Sequence, residues 1–248
     1  LRARLAVLHR HQNVRRLEIP VEHALVVGVG QRRGDLQRVE VVFLLEFADQ
    51  AVVHSEILYL DRFAHLLFEA LSLKRLPRSG YQFLGVGRES VAEHSFSTTF
   101  IAYVLSHMVP EADARKLIAM SLVHDLPEAR VGDLNYVQKF YLQADEGAAL
   151  DDMVHALPFG SDLRALIDEF NQGASLEARL AHDADQLAFL LELKALADVG
   201  HAPPSTWIPN VQQRLQTDIG RSMADSILAT SSDMWWRQKF IDRSDHTQ

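Results

Sequence analysis

The stretch SLVHDLPEARVGD, residues 121–133, ends an apolar run with a neighbouring imidazole and carboxylate, His124 and Asp125. Two further acids, Glu128 and Asp133, follow, and a proline and a glycine interrupt the backbone among these four residues. Ionisable side chains beside buried aliphatic residues are unfavourable unless they are paired or bound to a metal. The stretch therefore predicts a divalent cation held by His124 and Asp125.

A single His-Asp dipeptide is weak evidence for a metal site, because such pairs also arise by chance. The chain contains a second one, His182-Asp183. Context favours the first pair, which has an apolar helix before it and a proline break after it. We interpret His182 as an ordinary helix residue, exposed or with its hydrogen bonds satisfied, in preference to a ligand.

Two more candidate ligands, His94 and Asp185, lie on other predicted helices. Adjacent helical residues point about 100° apart, so His124 and Asp125 can share a cation only beyond the end of their helix. Pro127 provides that end by breaking the hydrogen-bond ladder. Imidazole with carboxylate suits Mn, Fe, Co, Ni or Zn, whereas Mg and Ca prefer oxygen ligands.

Helical periodicity of the apolar residues begins near Ile57 and continues towards the C-terminus. It predicts an all-α domain over residues 57–248, a helical bundle around a single metal site. Ser90 and Glu93 form a capping box that starts the helix carrying His94. The other expected helices end near Leu73 or cover Glu111–Leu126, Gly147–Leu157, Ser161–Asn171, Ser175–Leu196 and, after an N-cap at Asn210, Leu215–Ile227.

Three of these helices have features that predict how they pack. We expect Glu111–Leu126 at the centre of the bundle, because its second half is apolar throughout. The helix ending near Leu73 has an apolar face, and the helix after Ser90 has an apolar stripe. The face comprises Leu60, Phe63, Ala64, Leu67, Phe68 and Leu71, and the stripe comprises Phe96, Thr99, Phe100, Tyr103, Val104 and Met108.

Residues 1–56 differ from the rest in being rich in arginine and valine, and we interpret them as an N-terminal extension of uncertain structure. Two short strands, around residues 25–29 and 39–44, are compatible with their β-propensity. A Gly28-Val29-Gly30 run lacks the surroundings of a dinucleotide-binding loop.

The composition sets limits on function. The 248 residues contain no cysteine, which excludes disulfides, thiolate nucleophiles and cysteine-based zinc sites, so a metal must use N and O ligands. A formal net charge of -8 argues against a general binder of nucleic acids or anionic membranes. No apolar run approaches the roughly 20 residues that span a bilayer, and no signal-peptide pattern opens the sequence. We expect a cytoplasmic protein.

Four blocks of sequence in the same order resemble the HD-domain metal-dependent phosphohydrolases, and within them the 5′-deoxynucleotidase branch. The blocks are LKRLPRSG (73–80), ESVAEHS (89–95), LVHDLPEARVGD (122–133) and ADQL (184–187). The resemblance implies one metal with four ligands, His94, His124, Asp125 and Asp185. It also implies that Glu128 and Asp133 lie near the reacting phosphate and that Arg75 contacts the phosphate. Some members have an aromatic residue after that arginine, where this chain has Leu76.

General chemistry leaves alternatives open for each of these roles. Glu128 is a candidate for orienting water or moving a proton, or else a solvated residue in a helix-ending turn. Arg75 is able to clamp phosphate oxygens, or else it is a cation at a helix end. Asp133 caps the next helix, holds a ribose hydroxyl, or both. Arg78 and Arg88 are weaker phosphate candidates, which we expect at the surface.

The resemblance implies hydrolysis of the phosphomonoester of a (deoxy)nucleoside 5′-monophosphate, using one divalent transition metal such as Mn, Co, Zn, Fe or Ni. The alternatives are an HD-type phosphodiesterase or nucleotide pyrophosphohydrolase, and a metal- or nucleotide-binding sensor without turnover. The expected partners are a small nucleotide substrate and a second copy of the chain in a homodimer. Nucleic acid and membranes are not expected partners.

Overall fold

The structure, a computed structural model, describes residues 3–6, 16–19 and 60–241. The chain divides into two units, Leu1–His54 and Ser55–Gln248. In the first unit, β1 (Ala3–Ala6) pairs antiparallel with β2 (Arg16–Ile19). The strands expected around residues 25–29 and 39–44, and the Gly28-Val29-Gly30 run, lie outside the described residues.

The described part of the second unit is built of helices, which confirms the all-α fold class. Only one isolated antiparallel bridge, between Pro77 and Ser90, accompanies them within residues 60–241. None of the described helices is both long enough and apolar enough to cross a bilayer. The helices are α1 (60–72), α2 (Tyr81–Leu84), α3 (Val91–Met108), α4 (Ala114–Val123), α5 (Glu128–Val131), α6 (Tyr136–Tyr141), α7 (Glu146–Val154), α8 (Gly160–Gln172), α9 (Leu176–Asp198), α10 (Pro204–Gln213), α11 (Asp218–Ala229) and α12 (Met234–Phe240).

Helix α9 is the central element of the unit. It packs against α3, α4, α8, α10 and α11, and four of its leucines are completely buried: Leu180, Leu187, Leu190 and Leu193. Helix α4 packs against α3, α8 and α9. It begins later than the predicted Glu111–Leu126 because the Asp113 side chain caps its first turn, accepting a hydrogen bond from the Lys116 N–H at 3.1 Å, and it also ends earlier than predicted, at Val123.

The apolar stripe predicted on α3 is not the buried face of that helix. Phe96, Phe100 and Tyr103 are exposed and stack on one another, with ring centroids 6.4 and 6.2 Å apart. The buried face consists of small or polar residues together with two aliphatic ones: Val91, His94, Ser95, Thr98, Ala102 and Leu105. Small residues on this face allow α3 to lie close to α4 and α9.

Two further expectations are corrected. Leu60, Leu67, Phe68 and Leu71 of α1 are exposed, and the residues of α1 that pack inward are partly buried ones such as Leu66 and Ala70. Asn210 does not cap a helix, because it lies inside α10. Helix α11 begins instead after Thr217, whose side chain accepts a hydrogen bond from the Gly220 N–H at 3.0 Å.

Candidate metal centre

The predicted capping box fixes the start of α3 and places His94 in its first turn. The Ser90 hydroxyl accepts a hydrogen bond from the Glu93 N–H at 3.2 Å, and the Glu93 carboxylate accepts one from the Ser90 N–H at 2.7 Å. Each side chain satisfies an N–H group that has no partner within the helix. His94 is fully buried on the face of α3 that packs against α4 and α9.

The end of α4 orients the His-Asp pair. Helix α4 ends at Val123, and the next short helix, α5, begins after Pro127, which cannot donate to a continuing ladder. The ring of His124 hydrogen-bonds through Nδ1 to the backbone carbonyl of Ser121 at 2.9 Å. Its other nitrogen, Nε2, is therefore directed towards Asp125.

Three candidate ligands converge as the sequence predicts. One ligand atom from each of His94, His124 and Asp125 lies within 4.8 Å of the others. The Asp125 Oδ2 atom is the common point, 3.2 Å from His124 Nε2 and 3.9 Å from His94 Nε2. The buried His124 Nε2 has no aligned hydrogen bond. A divalent transition metal fits this combination of imidazole nitrogens and carboxylate oxygen.

The fourth candidate, Asp185 on α9, lies beside this group. Its Oδ1 is 2.8 Å from His94 Nε2, and its Oδ2 accepts a hydrogen bond from the Gln186 side chain at 2.8 Å. Burial acts to raise the pKa of Asp185, but the His94 hydrogen bond and the nearby positive charges hold that pKa well below its usual range. Asp185 is thus an ionised acceptor, as ligation requires.

The acids around His124 raise the pKa of its imidazole. Burial alone would lower the pKa of the imidazole, but the charges of Asp125 and Asp185 and the carbonyl of Ser121 raise it to about 9. A metal must displace this proton, so metal binding at the site is expected to release protons and to weaken as the pH falls.

Arg78 is not the surface residue that the sequence suggested. Its guanidinium Nη1 donates a hydrogen bond to Asp125 Oδ2 at 3.2 Å and lies within 4.0 Å of carboxylate oxygens of Asp133 and Asp185. Burial acts to lower the pKa of Arg78, and the carboxylates outweigh this effect and raise it above its ordinary value. Arg78 is therefore a fixed positive charge at the edge of the candidate metal centre.

Glu128 lies on the same side of the site as Asp125 and Asp133. Its Oε2 is buried and makes no hydrogen bond with a described residue. Burial, followed by the negative charges of Asp125 and Asp133, raises the pKa of Glu128 to about 8, against the opposing charges of Arg78 and Lys139. These surroundings favour the protonated form of the carboxyl group.

Asp133 joins two loops of the site. Its Oδ2 accepts a hydrogen bond from the Ser79 N–H at 2.7 Å and thereby holds the segment that contains Arg78. Its predicted role as a helix cap is wrong, because α6 is capped by Asn135, whose side chain accepts a hydrogen bond from the Gln138 N–H at 2.9 Å.

Arg75, unlike Arg78, does not lie beside the carboxylates of the candidate metal centre. It is exposed, and it forms no ion pair with another residue of the described chain. It lines a cleft of about 310 Å³ together with Lys74, Pro77, Arg88, Glu89, Ser90 and Glu93. The lining of this cleft combines three cations, Lys74, Arg75 and Arg88, with two acids, Glu89 and Glu93. The side chain of Arg75 does not contact the His-Asp group.

The second His-Asp dipeptide has a structural role. His182 Nε2 hydrogen-bonds to the carbonyl oxygen of Phe170 at 2.8 Å, which supports its interpretation as a satisfied helix residue. The completely buried Asp183 accepts hydrogen bonds from the N–H groups of Gln216 and Thr217, at 2.6 and 2.9 Å. This carboxylate therefore anchors the start of α11.

Two residues near the site were missed or undervalued from the sequence, Arg78 and Glu89. Glu89 is buried, and its Oε2 lies 3.8 Å from His94 Nδ1. The segments on either side of α2 pair through an Arg78 N–H to Glu89 carbonyl hydrogen bond of 2.8 Å. The proline before Arg78, which predicts extended backbone, was the available signal for such pairing.

Comparisons with known proteins agree with this geometry. A family model described as HD domain matches residues 70–227. The human protein named 5′-deoxynucleotidase HDDC2 is 29% identical over 137 residues, which cover 53% of this chain and 66% of that protein. The chain thus spans slightly less than two thirds of that relative. A bovine protein of the same name is 28% identical over the same length.

A solved structure of a conserved hypothetical protein from Pyrococcus furiosus has the same fold. It superimposes with a TM-score of 0.56 at 26% identity and covers 67% of this chain and 99% of that one. The residues matched by the family model, 70–227, all lie within the described helical part of the chain.

Proposed function

Because the chain belongs to the HD-domain family, we propose that it is a metal-dependent phosphohydrolase acting on (deoxy)nucleoside 5′-monophosphates. The products are the nucleoside and inorganic phosphate. The observation that carries the proposal is the convergence of His94, His124 and Asp125, with Asp185 beside them and Glu128 and Arg78 at the edge. The names of the human and bovine relatives support a deoxynucleotide substrate.

The proposed ligands are His94, His124, Asp125 and Asp185, and the proposed cofactor is one divalent transition metal, Mn, Co, Zn, Fe or Ni. The mixed nitrogen and oxygen donors support this class of metal. Its chemistry when bound would be Lewis-acid polarisation of a phosphate oxygen and activation of water near neutral pH.

We assign the proton transfers to Glu128. Water forms the new bond to phosphorus, and the bond between phosphorus and the ester 5′-oxygen breaks. The protonated Glu128 carboxyl group gives its proton to the departing oxygen and takes one proton from the attacking water, so that the products are the nucleoside and hydrogen phosphate and Glu128 is again protonated. A pKa of about 8 in the metal-free protein supports the protonated starting state. Glu128 and Asp133 are the proposed catalytic residues, Glu128 through this proton transfer and Asp133 through its remaining acceptor capacity for a sugar hydroxyl beyond its bond to Ser79.

Arg75 and Arg78 are the proposed phosphate-binding residues. The Arg78 guanidinium is already within hydrogen-bonding distance of Asp125, so a phosphate bound next to that carboxylate would meet its N–H groups. Arg75 lines the neighbouring cleft, whose lining residues include three cations and two acids. Two guanidinium groups would supply locally the positive charge that the overall net charge of -8 lacks.

The proposed function is tested on full-length protein stripped of metal with a chelator. Mn, Co, Zn, Fe, Ni and Mg are restored singly, and release of free phosphate is measured against a panel of ribo- and deoxyribonucleoside monophosphates. We expect phosphate release with at least one transition metal and with deoxynucleotides. No release with any metal contradicts the proposal, and products still carrying phosphate, from diesters or triphosphates, would favour the phosphodiesterase or pyrophosphohydrolase alternatives.

Two variants separate the metal site from the proton donor in the same assay. Asp125→Ala is expected to lose the metal, because Asp125 Oδ2 is the common point of the donor set. Glu128→Ala is expected to retain the metal and lose turnover. Equal loss of metal in both variants would remove Glu128 from the chemistry and place it among the ligands.

We also propose that the protein functions as a homodimer. Support comes from the exposed aromatic residues of α3, Phe96, Phe100 and Tyr103, since exposed apolar patches are typical of interaction surfaces. Sedimentation velocity over a range of protein concentrations measures the assembly directly.

A further inference from the structure

The two histidines of the candidate metal centre are oriented alike but held differently. His94 turns Nε2 towards the site, 2.8 Å from Asp185 Oδ1 and 3.9 Å from Asp125 Oδ2. Its Nδ1 therefore faces away, is buried, and makes no hydrogen bond with a described residue. His124 also turns Nε2 towards the site, but its Nδ1 is held by the Ser121 carbonyl at 2.9 Å.

A metal-bound histidine normally donates a hydrogen bond from its other ring nitrogen, which fixes the tautomer and the direction of the ring. For His124 the backbone supplies the acceptor. For His94, on the first turn of α3, the acidic group facing Nδ1 is Glu89, with Oε2 at 3.8 Å. A closure of about 1 Å brings this pair into hydrogen-bonding range.

The position of Glu89 in the fold suits a hydrogen-bond acceptor. Its side chain is only 5% exposed, and the Tyr81 hydroxyl donates a hydrogen bond to its Oε2 at 3.4 Å. The Glu89 backbone carbonyl is held by the Arg78 N–H at 2.8 Å. A carboxylate has about four acceptor sites, so the bond from Tyr81 leaves capacity for a second donor.

We propose that Glu89 is the positioning residue of His94: it accepts a hydrogen bond from Nδ1–H, so that Nε2 is unprotonated and directed at the metal. The Tyr81 hydroxyl holds the same carboxylate oxygen, Oε2, and so orients the Glu89 side chain. This inference rests on the metal site of the proposed function, but it concerns how the ligand is held and not the bond that is hydrolysed.

The test measures metal affinity and not turnover. Full-length protein is stripped of metal, and the dissociation constants of Co²⁺ and Zn²⁺ are obtained by competition with a chelating dye. Glu89→Leu is expected to weaken binding by roughly 10- to 100-fold. Glu89→Gln, which keeps a carbonyl acceptor, is expected to recover part of this loss. Tyr81→Phe should produce a smaller weakening, because the carboxylate stays but is held less firmly.

Glu192→Gln is the matched control. Glu192 is a partly buried acid whose charge acts on both Tyr81 and Glu89, and no contact with His94 accompanies it among the described residues. We expect unchanged metal affinity. The visible absorption spectrum of the Co²⁺ protein provides a second readout, which should change in the Glu89 variants and not in the control.

Thermal unfolding of each metal-free variant separates positioning from folding. If Glu89 serves only to stabilise the fold, its variants melt at lower temperature, but the folded fraction binds metal as tightly as the wild type, and this result overturns the inference. If Glu89→Leu does not fold, the metal affinities of Glu89→Gln and Tyr81→Phe provide the test. Unchanged metal affinity in both of these variants also overturns the inference. A wild type that binds metal and hydrolyses no nucleotide refutes the proposed function alone, whereas a wild type that binds no metal refutes both.

Discussion

At the scale of single residues, the site contains acids whose pKa values are shifted in opposite directions. Asp125 and Asp185 have lowered pKa values, because His124, His94 and Arg78 compensate for their burial. Glu128 has a raised pKa, because burial and the same neighbouring carboxylates act on it together. Pairs of acids whose pKa values are separated by their surroundings are a common basis for dividing catalytic roles.

The protonation of Glu128 predicts how stability depends on pH. Between its ordinary pKa of 4.5 and its folded value of about 8, the folded protein keeps a proton that the unfolded chain releases. The free energy of unfolding should therefore fall as the pH rises through this window. In metal-stripped protein, Glu128→Gln should remove this contribution, so that the variant gains stability relative to the wild type from about pH 5 to pH 8.

Urea unfolding at a series of pH values measures this difference. Glu111→Gln, which changes an exposed acid, is the control and should follow the wild type. Parallel curves for wild type and Glu128→Gln would show that Glu128 is ionised in the folded protein at neutral pH.

Arg78 gives a second prediction at this scale. If it binds the substrate phosphate, Arg78→Ala should lower kcat/KM by roughly a hundredfold or more, and lysine should restore only part of it, since an ammonium lacks the bidentate geometry. Metal affinity should not fall, because the variant removes a positive charge from beside Asp125. Steady-state kinetics and dye competition provide both measurements.

Arg115→Ala, an exposed arginine on α4, is the control for Arg78→Ala. A loss of metal that equals the loss of activity in Arg78→Ala would instead assign Arg78 to the integrity of the site.

At the scale of elements, replacing either of two helical glycines by alanine is expected to have contrasting effects on stability. A Cβ at Gly220 of α11 would collide with the Asp183 carboxylate, whereas one at Gly147 of α7 meets only Asp145 Oδ1 at 3.6 Å. Asp183 is buried and fixed by hydrogen bonds from Gln216 and Thr217, so it cannot move away without cost.

We expect Gly220→Ala to destabilise the protein by about 1–3 kcal/mol. Gly147→Ala should leave stability unchanged or increase it by up to about 1 kcal/mol, because alanine has the higher helix propensity. Denaturant unfolding of the two variants tests the contrast. If both variants behave alike, the buried Asp183 contact does not determine the packing of α11.

At the scale of the whole molecule, the features predictable from sequence were those with local causes. The capping box depends on residues three apart, so the start of α3 was predicted. The presence of a break before Pro127 was also predicted, but α4 ends at Val123 and not at the predicted Leu126. The burial of α3 was not, because the larger and more apolar side chains face outward while Ala102 and Thr98 face the core. Only close packing against α4 and α9 explains that choice.

The same distinction between local and tertiary causes applies to the candidate site. His94, His124 and Asp125 were recognised by residue type and order, and the structure brings them together. Arg78 was undervalued as a surface residue and Glu89 was missed, because their positions depend on pairing between two irregular segments, one on each side of α2. Such pairing has no periodic signature in the sequence. The assignment of residues 1–56 as an extension and 57–248 as one domain stays a prediction.

Helix α9 carries two acids with different tasks, Asp183 and Asp185. They are two positions apart in the sequence, which is about 3 Å along the helix axis and roughly 200° around it. One acid holds the start of α11 and the other faces His94. A substitution that shifts the start of α11 would therefore act on α9 within one helical turn of Asp185, so the packing of α11 and the position of a candidate ligand depend on the same turn of one helix.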